Sequence, residues 1–120
     1  MILVVDDDAA VRNSLKFSLE VEGFSVRAYS RASDLLAEVD MPDRGCLVLD
    51  YRLPGASGLD LLDELRSRKV RLPAVLITSH PSMKLRERAA AAGVPVVEKP
   101  LLTESLFESI CTALEAKPQP

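Results

Sequence analysis

The sequence predicts an α/β domain: one doubly wound, five-stranded parallel sheet with helices on both faces. Three observations carry this expectation. Five short apolar runs alternate strictly with five helical patterns. Most of the runs are continuously apolar rather than alternating, as strands covered on both faces are. Every run but the second delivers a polar residue of a chemically useful kind to its carboxyl end.

The first strand, Ile2–Val5, runs into Asp6-Asp7-Asp8. In the helix that follows, Ala9–Glu22, Val11, Leu15 and Leu19 recur at four-residue spacing on one face, and Gly23 closes the last turn. Polar residues alternate along the second strand, Ser25–Tyr29, which marks it as an edge. A helix over Ser33–Val39 leads to the third strand, Cys46–Leu49, which ends in Asp50. After Pro54, Gly55 and Gly58, the helix Leu59–Arg68 presents Leu59, Leu62 and Leu65, with Leu61 beside them. The fourth strand, Ala74–Ile77, ends in Thr78-Ser79. The helix Met83–Ala92 carries Lys84, Arg86, Glu87 and Arg88 and then four alanines, so its apolar face is thin. Gly93 follows it, and the fifth strand, Val94–Val97, reaches Glu98-Lys99-Pro100. Thr103 is expected to cap the last helix, Glu104–Ala116, whose apolar positions are Leu106, Ile110 and Leu114 with Phe107 beside them. The domain is expected over residues 1–116, with 117–120 a tail or the start of a linker.

A chain of 120 residues, about half of them apolar, has the size and composition of one packed domain. Its formal net charge of -3 argues against direct nucleic-acid binding, which needs a basic face. Cys46 and Cys111 lie far apart, each among apolar residues, and both are expected to be buried free thiols. No apolar stretch approaches membrane-spanning length, and "MILVVDDD" is too short and too acidic afterwards for a signal peptide. The expected compartment is the cytoplasm, without membrane association.

In an open parallel sheet, chemistry sits in the crevice at the carboxyl ends of the strands. Here that crevice collects Asp6, Asp7, Asp8, Asp50, Thr78 and Lys99. Carboxylates gathered there repel one another unless a divalent cation sits among them. Mg2+ suits hard oxygen ligands and keeps several waters, so two or three carboxylates suffice. Such a cation attracts a phosphoryl group. A lysine and a hydroxyl on the far side bind the remaining phosphoryl oxygens. Asp50 lies between the two halves, where a carboxylate can attack phosphorus and become an acyl phosphate. Taken singly, each residue has a plainer reading: an aspartate turn or cap, a threonine cap, a solvated lysine. Their conjunction at four strand ends favours phosphoryl chemistry.

The segments "LVVDDD", "LVLDYRLPGASGLDLL", "VLITSH" and "VEKP", in this order, resemble the response-regulator receiver domains of two-component signalling. The resemblance covers essentially the whole chain. "DYRLPGASGLDLL" with "LPAVLITSH" and "EKP" looks most like FixJ-type regulators, which usually carry a DNA-binding output domain. The resemblance implies a flavodoxin-like fold of strand order 2-1-3-4-5; the doubly wound rule itself draws on a receiver protein for that order. It implies Asp50 as phosphoacceptor, Asp7 as a direct Mg2+ ligand, and Asp6 acting mostly through water. The backbone carbonyl of Arg52 would be a further metal ligand. Thr78 and Lys99 would bind phosphoryl oxygens, Gly58 would shape the loop after the third strand, and Lys99–Pro100 would be a cis bond. Arg52 and His80 match two variable positions flanking the site, although His80 by itself reads as a solvated loop residue.

One departure stands out. Receivers commonly carry Tyr or Phe three residues before the lysine, and here that position is Val96. The segment "AAGVPVVEKP" also looks about one residue short, and Pro95 interrupts its start, which an edge strand tolerates. The usual coupling of threonine to aromatic therefore lacks its partner.

The expected function is a switch rather than an enzyme in the ordinary sense: self-phosphotransfer from a sensor histidine kinase or histidine phosphotransfer protein, then slow autodephosphorylation. A DNA-binding output domain is the expected neighbour if the chain is part of a longer one. The expected assembly is a monomer or a weak phosphorylation-dependent dimer through the fourth and fifth helices. Two alternatives come from other classes. A haloacid-dehalogenase-like phosphatase would share the two-Asp signature, but Ala10 stands where Thr or Val is expected, no acidic pair follows Lys99 and there is no room for a cap domain. A receiver-like module acting by protein binding alone is the other. Flavin binding is disfavoured, because three aspartates sit where the flavin phosphate needs donors.

Overall fold

The computed structural model describes residues 1–99 and 103–115, in backbone alone at 103–105, 107 and 115. Its elements follow one another as β1 (Ile2–Val5), α1 (Ala9–Val21), β2 (Val26–Tyr29), α2 (Ala32–Leu36), β3 (Cys46–Asp50), β4 (Arg52–Leu53), β5 (Ala56–Ser57), α3 (Gly58–Ser67), β6 (Ala74–Thr78), α4 (Met83–Ala91), β7 (Val96–Glu98) and α5 (Thr103–Glu115). The main sheet is parallel with order β2-β1-β3-β6-β7, so its five strands run 2-1-3-4-5 in chain order. This is the expected architecture, with β2 on the expected edge.

The pleat sorts the strand residues into two cores. Leu3, Val5, Leu47, Leu49 and Leu76 face α2, α3 and α4, whose contributions include Leu35, Leu59, Leu62, Leu65 and Leu85. Ile2, Val4, Cys46, Val48, Val75, Ile77 and Val97 face α1 and α5, which add Leu15, Leu19, Leu106, Ile110 and Ala113. Every residue of β1 and β3 is buried, which is why those runs show no polar alternation.

Several details differ from the sequence reading. The hairpin β4–β5 is an addition to it, although Pro54-Gly55 signals a turn: Gly55 reverses the chain at φ 78°, where residues with a Cβ rarely go. β7 starts at Val96 rather than Val94, because Pro95 has no N–H to give and joins the ladder only through its carbonyl, which accepts from Leu76 N–H at 2.9 Å. α2 stops at Leu36, not Val39. The chain beyond it folds back along β2, with Tyr29 Oη donating to Glu38 at 2.8 Å and Arg27 donating to the Asp40 carbonyl at 3.0 Å.

Along α5, Leu106, Ile110 and Ala113 are buried while Leu114 is exposed. Four-residue spacing drifts off the 3.6-residue face, and Ala113 holds the place expected of Leu114. α5 begins at Thr103 itself, so the expected cap lies within the helix; its side chain, like that of Phe107, is outside the described residues. Cys46 is buried as expected, and burial pushes its thiol up to about 12, but Cys111 is only half-buried. The Lys99–Pro100 bond, Ala116 and the tail 117–120 lie outside the described residues. Among the described residues, no helix is long and apolar enough to cross a membrane.

Candidate functional site

Strand register builds the site. Val5 is level with Leu49, so Asp6 and Asp50 each stand one step beyond the same rung. Asp50 is level with Ile77, which puts Thr78 one step further, and Thr78 is level with Glu98, just before Lys99. Residues far apart in the chain thus reach one corner of the sheet, at its carboxyl edge.

Asp6, Asp50 and Thr78 are all buried there. Lys99 Nζ lies 3.2 Å from Asp6 Oδ2 and 3.4 Å from Asp50 Oδ2, bridging the two carboxylates. The Lys99 N–H donates to the Thr78 carbonyl at 2.7 Å, which fixes the start of the lysine's reach. One carboxylate oxygen each from Asp6, Asp7 and Asp50 falls within 4.8 Å of the others, with Asp7 exposed at the mouth. Asp8 stands apart from this cluster and caps α1, accepting from the N–H groups of Ala10 at 2.9 Å and Val11 at 3.3 Å. Arg52 and His80 are exposed. Val96 is half-buried against the leucine-rich core and level with Leu76.

Two residues near the site owe their importance to contacts that the sequence does not display. Gly58 opens α3 with its N–H donating to the Tyr51 carbonyl at 2.8 Å. A Cβ there would collide with the Asp50 carbonyl oxygen, so only glycine lets α3 pack this close to the strand end. Arg12 reaches back from α1, and its Nη1 donates to the Asp6 backbone carbonyl at 2.8 Å. Its one sequence signal is its place in the first turn after the acidic triad.

The electrostatics are those of a cation site. Burial, and next the charge of Asp6, push the Asp50 carboxyl from its ordinary 3.8 up to about 6, against the opposing pull of Lys99 and the Arg52 N–H. Burial pulls Lys99 down, but the Asp50 and Asp6 carboxylates outweigh it and hold the ammonium above its ordinary value. Three carboxylates against one ammonium leave the cluster with excess negative formal charge. Three hard oxygen donors within 4.8 Å, one of them an acid that burial disfavours as an anion, fit a small divalent cation such as Mg2+. Asp6, Asp7 and Asp50 are the side chains that would hold it.

Comparison with known proteins points the same way. The family model of the response regulator receiver domain matches residues 2–111. The transcriptional regulatory protein FixJ of Azorhizobium caulinodans is 38% identical over 112 residues, covering 92% of this chain and 53% of that protein. The C4-dicarboxylate transport transcriptional regulatory protein DctR of Rhodobacter capsulatus is 36% identical, covering 94% of this chain and 59% of that one. The chain thus spans a little over half the length of these curated relatives. Among solved structures, the receiver domain of NtrX from Brucella abortus superposes with a TM-score of 0.86 at 32% identity, covering 98% of this chain and all of that one. A receiver domain protein from Methanospirillum hungatei gives 0.85 at 29% identity, covering 95% of this chain and 92% of that one.

Proposed function

The chain belongs to the family of response regulator receiver domains, and from that premise we propose that it is a phosphorylation-operated switch with Asp50 as the acceptor. The observation that carries this is the Asp6–Lys99–Asp50 arrangement: a buried carboxylate at a strand end, bridged by a lysine to a second buried carboxylate, with the carboxylate of Asp7 beside them.

The Asp50 carboxylate attacks the phosphorus of a phosphohistidine presented by a sensor kinase or histidine phosphotransfer protein. The new P–O bond forms as the P–N bond breaks, and the imidazole nitrogen leaves with the electron pair. Lys99, drawn off its contacts with Asp6 and Asp50, binds a phosphoryl oxygen, and the Thr78 hydroxyl binds another. Bound Mg2+ would supply charge neutralisation at the entering phosphoryl group; Asp6, Asp7, Asp50 and the Arg52 carbonyl are its proposed ligands. Water later attacks the acyl phosphate, returning Asp50 and releasing inorganic phosphate. This is self-modification rather than turnover of a substrate pool.

Phosphorylation biases a two-state surface, which requires a few kcal/mol of difference between states, about 5.5 for a full reversal of population. With Val96 in place of an aromatic, the shift of Thr78 has only a small half-buried side chain to act on in β7. The output passes to a DNA-binding domain where the chain continues into one, within the cytoplasm. That the two relatives described are transcriptional regulators supports this reading.

The test is intact mass after incubation with Mg2+ and acetyl phosphate, wild type against Asp50→Asn. One Mg2+-dependent, acid- and base-labile phosphoryl group on the wild type and none on the variant is the expected result. A wild type that binds Mg2+ yet gains no adduct and releases no phosphate would sink the proposal and leave a receiver fold acting by protein binding.

A further inference from the structure

Asp7 is exposed, yet a metal ligand must be aimed before the metal arrives. The two peptide groups flanking Asp7 are both pinned. The Asp6–Asp7 peptide carries the Asp6 carbonyl, which accepts from Arg12 Nη1 at 2.8 Å. The Asp7–Asp8 peptide carries the Asp8 N–H, which donates to Asp6 Oδ1 at 2.9 Å. Each peptide is planar, so a hydrogen bond held at its edge restricts how the whole unit can rotate. With rotation of both units restricted, the φ and ψ of Asp7 are restricted, and its Cα–Cβ direction with them. Arg12 is itself anchored: its N–H donates to the Asp8 carbonyl at 2.9 Å, in the turn that the Asp8 side chain caps.

We propose that Arg12 is a positioning residue for the cation site, holding the Asp6–Asp7 peptide so that Asp6 and Asp7 present their oxygens together toward Asp50. The inference rests on the reading of this cluster as a Mg2+ site. It runs against simple electrostatics, since removing a nearby cation ought to tighten Mg2+ binding. The sign of the effect therefore separates positioning from charge.

The test is calorimetric titration of Mg2+ alone into the full chain, as wild type, Arg12→Met and Arg12→Lys, at one ionic strength. Methionine keeps the apolar stem and the helix preference but has no donor. Arg12→Met is expected to bind Mg2+ about 10-fold or more weakly, the usual loss when a group orienting a metal ligand is removed. Its melting temperature should stay close to that of wild type, and amide exchange at Asp8 should speed up while that at Leu15 and Leu19 does not. Arg12→Lys should recover part of the affinity. Arg12→Met binding as tightly as wild type or tighter, or unchanged exchange at Asp8, overturns the proposal. A wild type that takes up no Mg2+ overturns the cation-site reading first, and this inference with it.

Discussion

Helices α3 and α4 pack on the same face of the sheet, yet different forces hold them. α3 buries Leu59, Leu61, Leu62 and Leu65 and starts in a capping box between Ser57 and Asp60. Burial at about 1.5–3 kcal/mol per leucine makes it a fixed part of the frame. α4 buries only Leu85 and Ala89. Polar ties at its surface supply the rest: Arg88 reaches Asp60 at 2.9 Å and Asp63 at 3.0 Å on α3, and Arg86 lies 3.6 Å from Glu98 on β7. All of these groups are substantially exposed, so each pair is worth at most about 1 kcal/mol and weakens with salt. The sheet thus has a rigid side that carries the Asp50 loop and a loosely held side next to Thr78 and Lys99. In the proposed switch, the element that shifts is drawn from the low-stability end.

Substitutions can break or sharpen this contrast. The largest effect is expected at Leu65→Ala, which empties a fully buried α3 position: about 2–5 kcal/mol of stability should be lost in urea denaturation. A loss below about 1 kcal/mol would mean that α3 is not the frame.

Next comes Asp50→Asn, because Asp50 is buried at the strand end against which Gly58 of α3 packs. The folded-state pKa is raised, so folding favours the protonated acid. That contribution is complete below about 4 and fades as pH climbs to about 6 and beyond. The amide escapes this loss. In metal-free buffer at about pH 8 the variant should be more stable than wild type, on the order of 2–3 kcal/mol, with the gap closing below about pH 4. Added Mg2+ should stabilise wild type and leave the variant almost unmoved. A gap that is the same at both pH values would refute the electrostatic account.

The smallest effect is expected at Arg88→Ala. It should cost less than about 1 kcal/mol, less still in high salt, and speed amide exchange within α4 while α3 stays protected. Equal acceleration in both helices would show that they move as one body.

The fold was largely legible because its signals are local. Uninterrupted runs such as Cys46–Leu49 mark strands covered on both faces, and the alternation in Ser25–Tyr29 marks the edge. The candidate site was legible to the extent that strand ends name it. Asp6, Asp50, Thr78 and Lys99 are the residues that follow or close the apolar runs, and parallel register brings them together. What escaped depends on reach: Arg12 touches a backbone carbonyl six positions back. Gly58 was named through the resemblance, but its physical reason, an Asp50 carbonyl oxygen that leaves no room for a Cβ, belongs to the folded chain.

The sequence by itself determined the period of each element, the ends at which chemistry collects, and the residue types on hand there. These follow from side-chain spacing within about ten neighbours, and no partner is needed to read them. Only the tertiary structure decided that Lys99 sits between Asp6, 93 positions away, and Asp50. It also decided that burial holds the Asp50 carboxyl above its ordinary range despite Lys99, and that Arg88 ties α4 to α3. Those outcomes belong to the order of strands and the burial it imposes, and a pattern read along the chain carries neither.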